Sequence, residues 1–149
     1  MLADELRTDL TAAMKARDEV TKRTLRMAIG AVMEASVAGP SARELSDDEI
    51  RQVLAREVKR RDEAAAAFTD GGRVDRAERE LAEREVLARY LPTPLTGDEL
   101  DALVAEALTE GGYTSPSDMG AAMRAATAKV DGRADGKAVS TAVKARLNG

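Results

Sequence analysis

A chain of 149 residues with 27 acids, 23 bases and neither cysteine nor histidine has room for one domain or two small ones, and it lacks the soft metal ligands, thiol nucleophile and near-neutral proton shuttle that most metal and covalent chemistry uses. The net charge of −4 argues against bulk, non-specific binding to nucleic acid, although a local basic patch fits on an acidic body. Alanine, leucine, arginine and glutamate dominate, the aromatics are only Phe68, Tyr90 and Tyr113, and no alternating β-branched run marks a strand, so the expected fold class is all-α.

The N-terminal stretch Met1-Leu2-Ala3-Asp4-Glu5-Leu6 carries acids early and no apolar h-region, and so does not read as a signal peptide. No stretch is long and apolar enough to cross a membrane. With the missing cysteines, this sets the expectation of a cytoplasmic protein in a reducing compartment, with no membrane partner, no metal and no cofactor.

A first helix is expected from about Ala3 to Arg17, on an apolar stripe of Leu6, Leu10 and Met14 widened by Ala13. Asp4 and Glu5 in its first turn, and Lys15 and Arg17 in its last, complement the helix dipole. The break after it, at Arg17-Asp18-Glu19, is weak because it holds no glycine or proline. A second helix follows from about Glu19 to Val37, with Leu25, Ala28, Ile29, Val32, Met33 and Ser36 on one face. Lys22, Arg23 and Arg26 lie mostly off that face, as a solvated flank or an RNA contact. Gly30 sits mid-helix, where it costs about 1 kcal/mol against alanine, and reads as room for a close helix approach. Gly39-Pro40-Ser41 breaks the chain.

Ser46-Asp47-Asp48-Glu49 is a capping box that opens a third helix, with Ile50, Val53, Leu54, Val58, Ala65 and Phe68 on its stripe. Glu57 and Arg61 fall close to that stripe, one turn apart. They read as a partly exposed i,i+4 pair, with an interior ion pair or a partner contact as the alternatives. Arg56, Lys59, Arg60 and Arg61 form the most basic run of the chain, diluted by Glu57, Asp62 and Glu63. After Thr69-Asp70-Gly71-Gly72 a fourth, charge-laced helix from about Val74 to Tyr90 is expected to fold back on the third as a long hairpin, with Ala77, Leu81, Ala88 and Leu91 facing it.

Leu91-Pro92-Thr93-Pro94-Leu95-Thr96 is the best domain boundary, because two prolines cannot continue a helix and the charge density changes there. The expected organisation is an N-terminal long-helix hairpin or bundle over residues 1–91, a proline-containing linker over 92–96 that lets the two parts move, and a C-terminal three-helix tail domain over 97–149. In the tail, the capping box Thr96-Gly97-Asp98-Glu99 starts a helix with Leu100, Leu103, Val104, Ala107 and Leu108 inward. Ser115-Pro116-Ser117-Asp118 starts the next, on Met119, Ala122, Met123, Ala126 and Val130, and the last carries Val139, Val143 and Leu147.

Between those last two helices, Val130-Asp131-Gly132-Arg133-Ala134-Asp135-Gly136-Lys137 joins glycines, opposite charges and a helix start. Arg133 and Lys137 flank a helix N-terminus whose open donors suit an anion, which makes Gly132, Arg133, Asp135, Gly136 and Lys137 a candidate phosphate or carboxylate cradle. The same residues also read as a tight helix–helix turn, with Gly132 at C′ and Asp135 capping the next helix. Ser140 stands three residues after Lys137 in the order Lys-x-x-Ser, the reverse of known Ser–Lys hydrolases, and reads as a first-turn helix residue.

Several stretches resemble the GatB/YqeY family in order and spacing: Thr24-Leu25-Arg26, Glu57-Val58-Lys59-Arg60-Arg61, Tyr90-Leu91-Pro92, Asp118-Met119-Gly120 and the run Gly132 to Ser140. The resemblance covers nearly the whole chain and is to a free-standing YqeY-like protein, similar to the C-terminal helical and tail region of the GatB subunit of tRNA-dependent amidotransferase. It implies docking on tRNA and a carbon–nitrogen ligase label with glutamine as amido-N-donor. The chain has no counterpart of that enzyme's kinase-like cradle or of its glutaminase. The expected function is therefore a tRNA- or RNA-associated helical module without catalytic activity of its own, with ligase activity and a protein–protein adaptor as the alternatives. On the RNA reading Lys144 and Arg146 extend the candidate basic patch, though as partners of the helix dipole near its C-terminus they need no function.

Overall fold

The computed structural model describes residues 1–148, which form seven α-helices and no strand. They are α1 (Leu2–Ala16), α2 (Glu19–Val37), α3 (Asp47–Asp70), α4 (Val74–Ala88), α5 (Gly97–Gly111), α6 (Met119–Val130) and α7 (Gly136–Asn148), with a short 3-10 turn at Pro116–Asp118 before α6. Among the described residues no helix is long and apolar enough to cross a membrane. The chain divides into two compact units, Met1–Leu91 and Pro92–Gly149.

In the first unit, α3 and α4 lie along each other on either side of the Gly71-Gly72 turn, while α1 and α2 pack together and α2 reaches both α3 and α4. Leu2, Leu6, Leu25, Ala28, Ile50, Leu54, Val86 and Leu87 form the core. The capping box at Ser46 is complete: Ser46 Oγ accepts from the Glu49 amide at 3.2 Å, and Glu49 Oε1 accepts from the Ser46 amide at 3.2 Å. Arg43 grips the same carboxylate with both guanidinium ends and holds Glu49 down at about 2 from its ordinary 4.5.

Five local readings of this unit need correction. The α1–α2 break is sharp, although it lacks glycine and proline. Arg17 adopts left-handed backbone at φ 57°, and Asp18 caps α2 by accepting from the Thr21 amide at 3.1 Å and its hydroxyl at 2.7 Å. On α2, Met33 is 59% exposed, and a Cβ on Gly30 would meet nothing within 4 Å, so that glycine serves no close helix contact among the described residues. On α4 the buried line is Ala77, Glu83, Val86 and Leu87, whereas Leu81 is 45% exposed. The Glu57–Arg61 pair lies inside the fold, as described below.

The second unit is built differently, on an apolar core of α5, α6 and α7. Leu100, Val104, Ala107 and Leu108 meet Ala122, Ala126 and Val130 from α6 and Val139, Val143 and Leu147 from α7. Thr96 and Glu99 complete the second capping box, and Gly112, at φ 69°, closes α5 in the left-handed conformation that glycine adopts freely. Leu95 joins this core and donates its amide to the Arg133 carbonyl at 2.8 Å, which ties the start of the unit to the turn before α7.

Candidate anion-binding turn and a buried ionic cluster

The turn between α6 and α7 is set by two successive left-handed residues, Asp131 at φ 49° and Gly132 at φ 78°. Asp135 then caps α7, its Oδ1 accepting from the Ala138 amide at 2.7 Å and its carbonyl from the Val139 amide at 3.1 Å. Arg133 folds back on α6: Nε donates to the Val130 carbonyl at 3.1 Å and Nη2 to the Lys129 carbonyl at 3.2 Å. Its side chain thus satisfies carbonyls that a helix C-terminus leaves open. A cation in that position also complements the helix dipole.

Lys137 is exposed, and a Cβ on either Gly132 or Gly136 would meet nothing within 4 Å, so the backbone there is open to approach. The first-turn amides of Gly136 and Lys137 have no carbonyl within α7 to bond. The turn thus brings Gly132, Asp135, Gly136 and Lys137 together around a helix start, with the Arg133 guanidinium committed to α6.

Within the three helices of this unit charge is segregated, although Asp131 and Asp135 stand exposed in the turn before α7. Neither α6 nor α7 contains an acid, whereas Asp98, Glu99, Asp101, Glu106 and Glu110 all lie on α5. Lys129 of α6 bridges to Glu106 at 3.0 Å and Glu110 at 3.1 Å, which raises its pKa. Lys137, Thr141 and Lys144 are exposed on α7 at i, i+4 and i+7, and so share one face.

A second polar centre lies in the first unit, where the sequence offers an interior Glu57–Arg61 pair as an alternative but does not single out Glu83. Arg61 is only 5% exposed. Its Nη1 donates to Glu57 Oε2 at 2.9 Å and to the Glu57 carbonyl at 3.1 Å, and its Nε faces Glu83 Oε2 of α4 at 3.6 Å. That last distance is too long for a hydrogen bond, and Nε is buried without a partner. Arg23 of α2 closes the far side, donating from Nε to Glu83 Oε1 at 3.3 Å. Arg61 Nη2 approaches the Met27 sulfur at 3.9 Å. The pair read as partly exposed is therefore the middle of an ionic cluster joining α2, α3 and α4.

Beside it, between α2 and α3, runs an open groove of about 720 Å³ with an alanine wall at Ala31, Ala35 and Ala38 and a charged wall that includes Arg56, Glu57 and Arg60. The other sequence marks also have local structural roles. Thr24 is fully buried and its hydroxyl donates to the Val20 carbonyl at 2.8 Å. Tyr90 donates to Asp9 Oδ2 at 2.5 Å, and its burial, with that bond, pushes the phenol pKa upward. Asp118 accepts from the Thr114 and Ser115 amides at 3.0 and 3.2 Å, which holds its carboxyl below the ordinary range. Among the described residues no group of three or more acidic side chains could hold a metal ion.

A family model described as Yqey-like protein matches residues 3–147. Curated relatives include three yeast proteins named "Altered inheritance of mitochondria protein 41, mitochondrial". The protein of Lachancea thermotolerans is 28% identical over 147 residues, covering 95% of this chain and 76% of that protein. That of Clavispora lusitaniae is 31% identical over 99 residues, covering 66% and 56%. That of Kluyveromyces lactis is 29% identical over 115 residues, covering 75% and 61%. In the last two cases the match spans less than two thirds of the relative's own length. All three names are mitochondrial and overturn the cytoplasmic expectation. That expectation rested on missing cysteine, which marks a reducing environment and not a particular compartment.

Proposed function

The chain belongs to the YqeY-like family, and from that premise we propose that it is a helical module, without catalytic activity of its own, that docks on structured RNA, tRNA foremost, through its second unit. The observation that carries this reading is the acid-free exposed face of α7, where Lys137 and Lys144 stand a turn of helix to either side of Thr141, next to the open backbone of Gly132 and Gly136. Two lysines seven residues apart are about 10 Å apart along a helix, a reach suited to tracking a phosphate backbone. Arg133 adds positive potential there without an acid bonded to it, since its guanidinium hydrogen bonds are to carbonyls.

The aromatics favour phosphate and shape recognition over base stacking. Tyr113 packs against the second core, Tyr90 is tied to Asp9, and Phe68 lies under the Arg76 guanidinium at 5.8 Å. The net charge of −4 requires the contact to be local.

The test is tRNA binding by the purified chain across a salt series, comparing wild type with Lys137→Ala plus Lys144→Ala. Saturable binding is expected, with a salt slope that falls by roughly 0.7–0.9 for each phosphate contact removed. Binding indifferent to both substitutions would return α7 to a purely structural role. The carbon–nitrogen ligase reading predicts turnover of glutamine by the same preparation, and the present reading predicts none. A protein-adaptor reading is favoured by the groove between α2 and α3, and recovery of a protein without RNA would support it.

A further inference from the structure

We propose that Met27 is an oxidation site whose sulfoxide is captured by the buried guanidinium of Arg61, so that oxidation tightens the contact between α2 and α3. Met1, Met14, Met27 and Met33 are all well exposed, at 80, 48, 54 and 59%. Met27 is the one among them whose sulfur meets a hydrogen-bond donor, Arg61 Nη2 at 3.9 Å. That donor belongs to a residue only 5% exposed, already short of one partner at Nε.

A thioether sulfur is a weak acceptor. A sulfoxide oxygen on the same atom is a strong one, and a bond to it from a guanidinium is charge-assisted. Oxidation of a methionine inside an apolar core puts a polar group among hydrocarbons and disrupts it. Here the new oxygen enters a site that is half open to water on one side and holds a partner-seeking cation on the other.

The oxidant is a hydroperoxide, ROOH. The sulfur lone pair attacks its terminal oxygen, an S–O bond forms as the O–O bond breaks, and the departing alkoxide takes the peroxide proton to leave as ROH. The sulfide loses two electrons and the peroxide gains them. The product bridges α2 to α3 beside the ionic cluster.

The experiment treats the full-length chain with hydrogen peroxide, maps the sulfoxides by peptide mass spectrometry, and reads amide protection in α2 and α3 by hydrogen exchange. Wild type and Met27→Leu are treated identically, each compared with its own untreated form, so that oxidation at Met1, Met14 and Met33 cancels. Oxidised wild type is expected to gain about tenfold in protection, the worth of one hydrogen bond to a charged group, and Met27→Leu to gain nothing. A second readout needs no variant. Sulfoxides come as two epimers, each reduced by its own enzyme, and only one directs its oxygen toward Nη2. One epimer is expected in excess at Met27 and neither at Met14 or Met33. Equal epimers at Met27, or oxidised wild type no better protected than oxidised Met27→Leu, overturns the proposal.

Discussion

Replacing Arg61 by leucine is the sharpest probe of the first unit. The substitution removes the cation between two carboxylates whose side chains are only 16% and 12% exposed, those of Glu57 and Glu83. Breaking a buried pair by removing one member costs roughly 3–5 kcal/mol, because a charge is left uncompensated out of water. Two exposed bases soften the loss: Arg60 lies 3.5 Å from Glu57 and Arg23 lies 3.3 Å from Glu83. The low end, about 3 kcal/mol, is therefore expected. For a unit of this size that corresponds to roughly 12–24 °C in unfolding midpoint. Circular dichroism on the full chain, with hydrogen exchange assigning the loss to α3 and α4, measures it. The control is Glu57→Leu, Arg61→Met and Glu83→Leu together, expected to restore stability to within about 1 kcal/mol of wild type or above it. A loss under about 1 kcal/mol in Arg61→Leu would refute the reasoning, since it would mean the carboxylates stay hydrated. A triple variant as unstable as the single one would reassign the loss to packing of the arginine stem.

Two further substitutions separate local effects. Gly30→Ala has open space for its methyl and sits in regular helix, so it is expected to stabilise the first unit by about 0.5–1 kcal/mol, read as a higher urea midpoint; a lower midpoint would mean that the position is crowded. Glu49→Gln tests the low-pH behaviour of the capping box. The Arg43 bond depresses the folded carboxyl from 4.5 to about 2, so its contribution is present above 4.5 and fades as pH falls through about 2; wild type should exceed the variant at pH 6, and the gap should close between pH 4.5 and 2 in urea titrations. A gap constant over that range would contradict the assignment.

The parts of the fold that a sequence reading captures are those set by local chemistry. Ser46 and Thr96 announce their helices because a hydroxyl and a glutamate three residues on satisfy amides reciprocally, which needs no knowledge of the rest of the chain. The core of the second unit is legible because its buried positions are apolar: Val139, Val143 and Leu147 are the stripe and also the core. The first unit is less legible because burial there includes charge. On α3, Arg61 stands seven residues after Leu54 and four before Ala65, in register with the core, and Glu57 stands seven after Ile50. On α4, Glu83 occupies a core position three before Val86. Apolar periodicity places Glu57 and Arg61 close to the stripe without requiring them to be buried, and on α4 it passes over Glu83 and settles on Leu81, which is exposed. The available signal was opposite charges holding apolar register on adjacent helices. The α1–α2 break was faint for a different reason, since its left-handed residue is an arginine and only the Asp18 to Thr21 cap marked it.

The candidate turn shows how far a motif can be read before geometry divides it. Arg133 and Lys137 flank the same helix start in sequence and look equivalent as anion contacts. In the structure Arg133 spends two donors on the carbonyls of Lys129 and Val130, while Lys137 is exposed on α7. An anion that drew the Arg133 guanidinium away would reopen the end of α6, a cost that a contact through Lys137 does not carry. The Leu95 amide, bonded to the Arg133 carbonyl, is a second tie on the backbone of the turn that does not use that side chain. It follows that Arg133 acts on the stability of the second unit as well as on its surface potential, whereas Lys137 acts on the surface potential alone. A binding defect confined to Lys137 and Lys144 would therefore carry more weight for a docking role than one produced by Arg133.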